Sequence, residues 1–255
     1  MKRLLHNPKH WLWVLVHLVL ILVGWIVYGQ KPSDTISFAI GSSLIAAGVT
    51  GWITFAYVLF SEEISDRLRV LAEFGVVNVF DARSVRIRQE YDNRLKTARD
   101  RIDIIGFGLS ALRGDFLRDF PKWKQMARVR ILLLDPEFPS LDQSYALQRD
   151  NEEGNPRGDI AKDVKKFIQD VGPLIQAGAF EIRLYCTLPT VNIFRIDDDL
   201  FWGPYLLGEQ SRNTPTFVVK RGGILFDRLT THFDRIWNDD RFYRAVPTNW
   251  IEKEQ

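Results

Sequence analysis

Three consecutive acidic residues follow an apolar strand segment in the C-terminal third of the chain. The stretch TVNIFRIDDDLFWGPY, residues 190–205, predicts a buried strand that runs into Asp197, Asp198 and Asp199. Strand alternation puts Arg195 on the same side as Asp197, so the two side chains are expected to pair or to bind an anion together. Asp198 and Asp199 are expected to be solvated turn residues. The segment therefore predicts either a structural ion pair or an anion-binding corner.

A glycine-rich turn is the second candidate for chemistry. Gly106, Gly108 and Ala111 fit the pattern G-x-G-x-x-A, with Ser110 inside it, between an apolar strand and a helix. Asp135 ends the next strand, where a dinucleotide-binding fold places its ribose-binding acid. The N-terminus of the helix is also suited to an anion. The motif predicts a ligand-binding turn for a phosphate-containing ligand, although strand-to-helix turns often need glycine for packing alone.

Histidine and cysteine counts exclude several classes of site. The four histidines are His6, His10, His17 and His232, and the first three lie at or in the N-terminal apolar region. Cys186 is the single cysteine, so neither an intrachain disulfide nor a cysteine-based zinc cluster can form. No metal and no cofactor is predicted. His232 is a candidate catalyst, but its amphipathic helical context favours packing on a helix face.

The order of elements in residues 101–240 resembles one half of a phospholipase D-like domain. In that family a strand carries H-x-K-x-x-x-x-D and precedes a glycine-containing turn. The segment NIFRIDD resembles this strand, FWGPY stands where the turn would be, and THFDRIWND resembles the closing helix. With Asp197 at the Asp position, however, Thr190 stands at the His position and Asn192 at the Lys position.

These departures bear on activity. The family uses one imidazole as a nucleophile on phosphorus and a second to protonate the leaving oxygen. Thr190 is a poor nucleophile without a base, and Asn192 cannot supply the lysine charge. The resemblance therefore implies a degenerate site in a binding or signalling module, and a single half implies a homodimer. The alternatives are an active phosphodiesterase (nuclease or phospholipase) with an atypical site, or a nucleotide sensor that reads its ligand through residues 106–111.

The N-terminal region carries two uncharged apolar segments. Residues 11–28 and 36–60 are each long enough to cross a hydrocarbon core of about 30 Å, which predicts a helical hairpin in a lipid bilayer. Positive residues flank the hairpin at Lys2, Arg3, Lys9, Arg67 and Arg69, whereas the short loop carries only Lys31. The positive-inside rule then predicts an inner (plasma) membrane protein with both termini in the cytoplasm.

Small residues recur along the second apolar segment. Ser43, Ala47 and Gly51 are spaced by four, with Gly48 beside them. This spacing lets two helices approach closely in lipid. It fits either packing inside the hairpin or a homodimer contact.

The rest of the chain predicts an α/β fold. After the hairpin, residues 1–60, a helical connector is expected over 61–101, with Ser61 as a cap and a second helix over 81–101. Residues 102–255 alternate strands and helices, which predicts a mixed sheet with helices on both faces. The polar stretch 148–159 is expected to be a mobile loop. The net charge of +2 does not indicate nucleic acid as a partner.

Overall fold

The structure of the protein is a computed structural model that describes residues 8–30, 35–81 and 85–251. The chain divides into two compact units, Met1–Val70 and Leu71–Gln255. Lys2, Arg3, Lys31 and Ser33, which bear on the predicted topology, lie outside the described residues.

The first unit contains a pair of apolar helices. Helix α1 spans Pro8–Gln30 and α2 begins at Thr35 and ends at Phe74. Both are long and apolar enough to cross a membrane, with mean hydropathies of 2.3 and 1.7 in their most apolar windows. Gly24 and Gly41 allow close contact between them, because a Cβ on either would lie 2.8 Å from a backbone oxygen of the other.

Helix α2 does not stop where the apolar segment stops. It has 40 residues and continues through Ser61, which the sequence predicts to be the cap of a separate helix. No proline or glycine interrupts residues 52–74, so nothing in the sequence breaks the helical hydrogen bonding. Gly75 follows the helix with a φ of +76°, a conformation that glycine adopts readily at a helix C-terminus.

The second unit is an α/β domain built on one sheet of eight strands. Its strands are β1 (Val76–Phe80), β2 (Arg101–Gly106), β3 (Arg128–Leu134), β4 (Phe180–Tyr185), β5 (Val191–Ile196), β6 (Asp199–Pro204), β7 (Thr216–Lys220) and β8 (Tyr243–Ala245). Its helices are α3 (Val85–Leu95), α4 (Ser110–Phe116), α5 (Phe120–Met126), α6 (Tyr145–Glu153), α7 (Asp159–Gln176), α8 (Ile224–Asn238) and α9 (Thr248–Ile251). The strand order is β1-β7-β6-β5-β2-β3-β4-β8.

The sheet is mixed, and helices cover both of its faces. Strands β2, β3 and β4 are parallel, and the remaining pairings are antiparallel. Phe194 packs against Tyr91 of α3 and Trp123 of α5. Its neighbour Arg195, which points to the opposite face, lies under Phe226 of α8. The predicted mixed α/β sheet is therefore confirmed.

Three local expectations differ from the structure. Strand β1 lies at the edge of the sheet beside β7, and α3 buries Ile87 and Leu95 in the core, so residues 76–95 are part of the domain and not a helical connector. The expected helix over residues 81–101 is limited to α3, and Arg101 already begins β2. The first four residues of the FWGPY segment, 201–204, belong to β6 and not to a turn.

The polar stretch at residues 148–159 is also more ordered than predicted. Half of it lies in α6, and both Arg149 and Asp150 are buried. Arg149 donates hydrogen bonds to the backbone oxygens of Leu206 and Glu209. Charged residues that suggest a solvated loop in the sequence therefore make buried hydrogen bonds in the folded domain.

Candidate functional site

A cleft of about 550 Å³ opens at the C-terminal end of β2. We call it the Gly106 cleft. Its walls come from the β2–α4 turn, the start of α7, the first residues of β5 and the segment after β6. Polar groups on its lining are Ser110, Glu153, Asn155, Asp159, Asp163, Asn192, Tyr205, Gln210, Ser211, Arg212 and Thr216. Apolar lining comes from Ile87, Tyr91, Phe107, Leu109 and Ile160.

The glycines of the G-x-G-x-x-A motif are at this cleft, and close packing against backbone accounts for Gly108. A Cβ at Gly108 would lie 2.3 Å from the Cβ of Asp163, so glycine lets the turn approach α7. A Cβ at Gly106 would lie 2.6 Å from Leu109. Helix α4 has only seven residues and starts after Leu109, whose φ is +50°. This turn therefore differs from the long helix N-terminus that a dinucleotide-binding motif presents.

Asp135 does not join the glycine turn. Its carboxylate accepts hydrogen bonds from the guanidinium of Arg244, at 2.7 Å for Nη2, and from the backbone N–H of Glu137 at 2.9 Å. Arg244 also binds Glu137 at 2.7 Å. The acid expected to hold a ribose is thus occupied by an arginine from β8, and it is absent from the cleft lining.

The N-terminus of α7, which borders the cleft, is likewise occupied. The buried carboxylate of Asp150 accepts from the backbone N–H of Gly158 at 2.7 Å and of Ile160 at 3.0 Å. Burial raises the pKa of this carboxyl, and the backbone hydrogen bonds oppose that effect. An internal carboxylate therefore fills the place where a helix would otherwise hold an external anion.

Charges on the cleft lining are mostly negative. Asp159 and Asp163 face it from α7, and Asp163 has a long ion pair of 3.7 Å to Arg113. Among the described residues that line the cleft, Arg212 is the only arginine or lysine. Its Nε donates to Gln210 at 2.8 Å, and the side chain is exposed. The lining thus accepts hydrogen bonds more readily than it neutralises an anion.

Asn192 and Tyr205 bring the β5–β6 hairpin to the cleft. Asn192 pairs with Gly203 across the two strands, and a Cβ on that glycine would lie 3.2 Å from the Asn192 amide nitrogen. The ring of Tyr205 stacks on Phe107 with 4.0 Å between centroids. Burial raises the pKa of the Tyr205 phenol, so the group is a neutral donor or acceptor at physiological pH.

Asp197 lies at the other end of β5, and its role is structural. Five residues separate it from Asn192, which corresponds to about 16 Å along a strand. Its carboxylate accepts from the backbone N–H groups of Arg99, Asp100 and Arg101 at 2.8, 2.9 and 3.0 Å. Its φ of +51° belongs to the turn between β5 and β6. The acidic corner is therefore a clamp on the segment that enters β2.

Arg195 is part of a buried row of charges and not of an open anion site. It pairs in register with Asp103, which in turn pairs with Arg130 on β3. Arg130 binds Asp103 through two hydrogen bonds of 2.7 and 2.9 Å, and Arg195 Nη1 lies 3.6 Å from the same carboxylate. Arg195 Nε donates to the backbone oxygen of Asp197 at 2.8 Å, so the predicted pairing of their side chains is wrong. Burial lowers the pKa of Arg195.

The remaining candidates lie away from the cleft lining. Thr190 is exposed, and its backbone oxygen accepts from Tyr205 N–H. His232 is half-buried on α8, and burial, together with Arg235, lowers its pKa. Neither residue lines the cleft. In the described part of the chain, no group of three or more His, Cys, Asp or Glu residues is arranged to hold a metal ion.

Several site residues escape sequence reasoning. Asp159 and Asp163 read as the polar face of an amphipathic helix, and Tyr205 follows a strand with no motif around it. The buried row has a visible signal, because Asp103 and Arg130 interrupt two apolar strands at matching positions. A charge in the middle of a buried strand needs a partner, and the matched register supplies one.

Two solved structures have a weak likeness to this chain. TrmBL2, an archaeal chromatin protein described with a novel mode of DNA binding, is 13% identical with a TM-score of 0.44, over 80% of this chain and 70% of that chain. Phosphatidylserine synthase of Haemophilus influenzae Rd KW20 is 13% identical with a TM-score of 0.40, over 66% of this chain and 39% of that chain. At such scores neither likeness bears on ligand or activity. No curated protein matches the sequence.

A family profile gives the clearest relationship. The domain of unknown function DUF5919 matches residues 73–242, which is more than half of the chain. The match begins just before β1 and ends after α8, so it includes strands β1 to β7, the Gly106 cleft and the buried charge row. The chain therefore belongs to the DUF5919 family.

Proposed function

We propose that the chain is a membrane-anchored binding module that holds a small polar ligand in the Gly106 cleft and performs no catalysis of its own. The cleft is the observation that carries this proposal. It combines an apolar wall with convergent hydrogen-bonding groups from four elements, which is the usual composition of a ligand site.

Membrane anchoring is supported by the surfaces of the two N-terminal helices. Only 6% of the most apolar window of each is buried, whereas a core helix of a soluble protein would be mostly buried. Trp25 is 71% exposed, and Leu15 and Ile53 are also exposed. We propose that lipid covers these side chains, and that both termini and the α/β domain are cytoplasmic, as the positive-inside rule predicts.

The cleft chemistry favours a particular ligand class. Asp159 and Asp163 offer acceptors, and the stacked rings of Phe107 and Tyr205 border an apolar surface. A ligand with an apolar or planar body and several hydrogen-bond donors suits this lining. An anionic or phosphate-containing ligand, predicted from the glycine turn, would depend on Arg212 for neutralisation.

The residue types on the cleft lining support a non-catalytic role. Ser211 Oγ donates to the Glu153 carboxylate at 2.6 Å, but Arg149 binds the same oxygen at 2.9 Å, and this ion pair makes Glu153 a weak base. None of the described lining residues is histidine, cysteine or lysine. The phospholipase D-like resemblance, with Thr190 and Asn192 at its motif positions, is compatible with a degenerate half-domain that keeps a cleft but lacks the reactive groups. The proposal therefore includes a phospholipase D-like origin of the domain and the formation of a homodimer.

Binding is tested on the full-length protein in detergent. Thermal shifts are measured with adenosine, ATP, inorganic phosphate and spermidine as probes. We expect adenosine or spermidine to raise Tm, and Asp163→Asn or Asn192→Leu to abolish that shift. Asp198→Asn is the matched control, because Asp198 is exposed at the far end of β5.

Two outcomes oppose the proposal. No shift with any probe in wild type, or a shift unaltered by the cleft variants, contradicts binding at this cleft. Robust hydrolysis of bis(p-nitrophenyl) phosphate by wild type that disappears in a Thr190→Ala, His232→Ala double variant would favour the atypical phosphodiesterase. A larger rise in Tm with ATP than with adenosine would favour a phosphate-containing ligand.

A further inference from the structure

Helix α2 carries a continuous stripe of exposed residues with strict heptad spacing. We call it the α2 seam, and its members are Ser43, Ala47, Thr50, Thr54, Tyr57, Ser61, Ile64, Leu68 and Leu71. Their separations alternate between four and three residues throughout. Every member is exposed. A period of 3.5 residues is the pattern that two helices need to follow one another along a left-handed supercoil.

The composition of the α2 seam changes at the end of the apolar segment. Up to Ser61 its members are small or hydroxylated, whereas Ile64, Leu68 and Leu71 are branched and apolar. Small side chains allow close helix contact in lipid, where burial of apolar surface gives no driving force. Branched apolar side chains drive association in water. The N-terminal half of the α2 seam therefore suits helix contact in lipid, and its C-terminal half suits helix contact in water.

The hydroxyl groups inside the membrane half do not prevent contact. Ser43 Oγ donates to the backbone oxygen of Ala39 at 2.7 Å, and Thr54 Oγ1 donates to that of Thr50 at 2.9 Å. Both donors are satisfied within their own helix, so neither hydroxyl needs a partner across the interface.

Helix α1 of the same chain is not the partner. It contacts a different face of α2, where a Cβ at Gly48 would lie 2.5 Å from Ile21 and one at Gly51 would lie 1.8 Å from His17. The glycines singled out in the sequence are thus used within the hairpin. The α2 seam lies about 120° around the helix from that face, counting 100° per residue.

Lipid cannot cover the whole α2 seam. Helix α2 is about 60 Å long, twice the thickness of a hydrocarbon core of about 30 Å. Residues 61–74 therefore extend into water if residues 36–60 span the membrane. Leu68 is 59% exposed and Ile64 is 42% exposed on that extension. On the α2 seam this extension has Ser61, Ile64, Leu68 and Leu71, so the seam carries no charge in water. The charged residues of the extension all lie off the seam: Glu62, Glu63, Asp66, Arg67, Arg69 and Glu73.

We propose that the α2 seam is the interface of a parallel, two-stranded coiled coil with α2 of a second copy of this chain. The proposal rests on the membrane-anchored function above. A partner must be helical, must cross the membrane and must continue into water in one register, and a second α2 meets all three conditions. Copies inserted in one orientation are parallel, so a two-fold axis along the membrane normal brings each residue of the α2 seam against its equivalent.

Disulfide trapping in membranes tests the aqueous half. Single cysteines are placed at each position from 61 to 71 of the full chain in a Cys186→Ser background, and an oxidant is added. We expect several-fold more dimer for Ser61→Cys, Ile64→Cys and Leu68→Cys than for Asp66→Cys and Val70→Cys. Equivalent positions meet closely enough for a disulfide only along the α2 seam. Equal yields at all positions, or maxima off the seam, overturn the proposal.

A matched pair of substitutions tests the membrane half. Ala47→Leu on the α2 seam should reduce the trapping of Leu68→Cys several-fold, because a larger side chain separates the helices. Ala56→Leu makes the same change at an exposed position off the seam and should leave the yield unchanged. Equal effects of the two variants overturn the membrane half of the interface.

Failure of this proposal is distinguishable from failure of the proposed function. Release of the wild-type chain from membranes by alkaline carbonate would contradict anchoring, whatever the trapping pattern. Substitutions on the α2 seam leave all lining residues of the Gly106 cleft unchanged, so the thermal shifts with adenosine, ATP, phosphate and spermidine test binding separately.

Discussion

At the scale of single residues, the charged groups of the domain serve mainly to fix its backbone. Asp197 accepts three backbone N–H groups from the segment that enters β2, and Asp150 does the same for the start of α7. Arg149 donates to two backbone oxygens of the segment after β6. Such side chains replace missing secondary-structure partners, because buried backbone polar groups without partners cost free energy.

The clamp at Asp197 gives a residue-scale prediction. Asp197→Ala should lower the free energy of unfolding by about 2 kcal/mol, because three N–H groups lose their acceptor and alanine disfavours a positive φ. Asp197→Asn should cost less, since it keeps one acceptor oxygen and tolerates that conformation. Denaturant unfolding of both variants measures the difference. An alanine variant as stable as wild type would contradict this structural role of Asp197. A change in the ligand-induced Tm shift would instead indicate that Asp197 takes part in binding.

At the scale of elements, the β2–α4 turn and α7 approach each other through a glycine. Gly108→Ala should destabilise the domain by about 1–3 kcal/mol, because the new Cβ would overlap the Asp163 backbone and Cβ. Gly114→Ala is the matched control: nothing lies within 4 Å of its Cβ position, and alanine in helix α4 should be stabilising by up to about 1 kcal/mol. Thermal unfolding distinguishes the two. Equal Tm values for both variants would mean that the turn can move away from α7 with no loss of stability.

At the scale of the whole molecule, the predicted topology needs a reporter other than the native cysteine. Burial and the neighbouring Asp135 raise the pKa of Cys186 to about 12, so its thiol reacts slowly on either side of a membrane. Ser140 is exposed and offers a better position. In a Cys186→Ser background, Ser140→Cys should resist an impermeant thiol reagent in intact cells and react after permeabilisation. Ser33→Cys should be labelled in intact cells, and the reverse pattern would contradict cytoplasmic termini.

The sequence by itself determined the features that depend on local pattern. Two long uncharged segments predict the helices of the first unit, and continuous apolar runs predict β2, β3 and β5 of a mixed α/β sheet. Helix α7, Asp159–Gln176, has a regular apolar stripe, and Gly178 follows its end. These signals are local, since they come from periodicity and from residues that stop a helix or strand.

Only the tertiary structure decided what the polar residues do. Arg195, Asp197 and Asp135 are predicted from the sequence to be open to a ligand, but each has a partner distant along the chain. Arg195 contacts Asp103, Asp197 accepts from the backbone of residues 99–101, and Asp135 binds Arg244. The cleft forms instead where Gly106, Asp163 and Asn192 meet. Strand order and register make these contacts, and neither can be read from local composition, because partners tens of residues apart are chosen by the packing of the whole sheet.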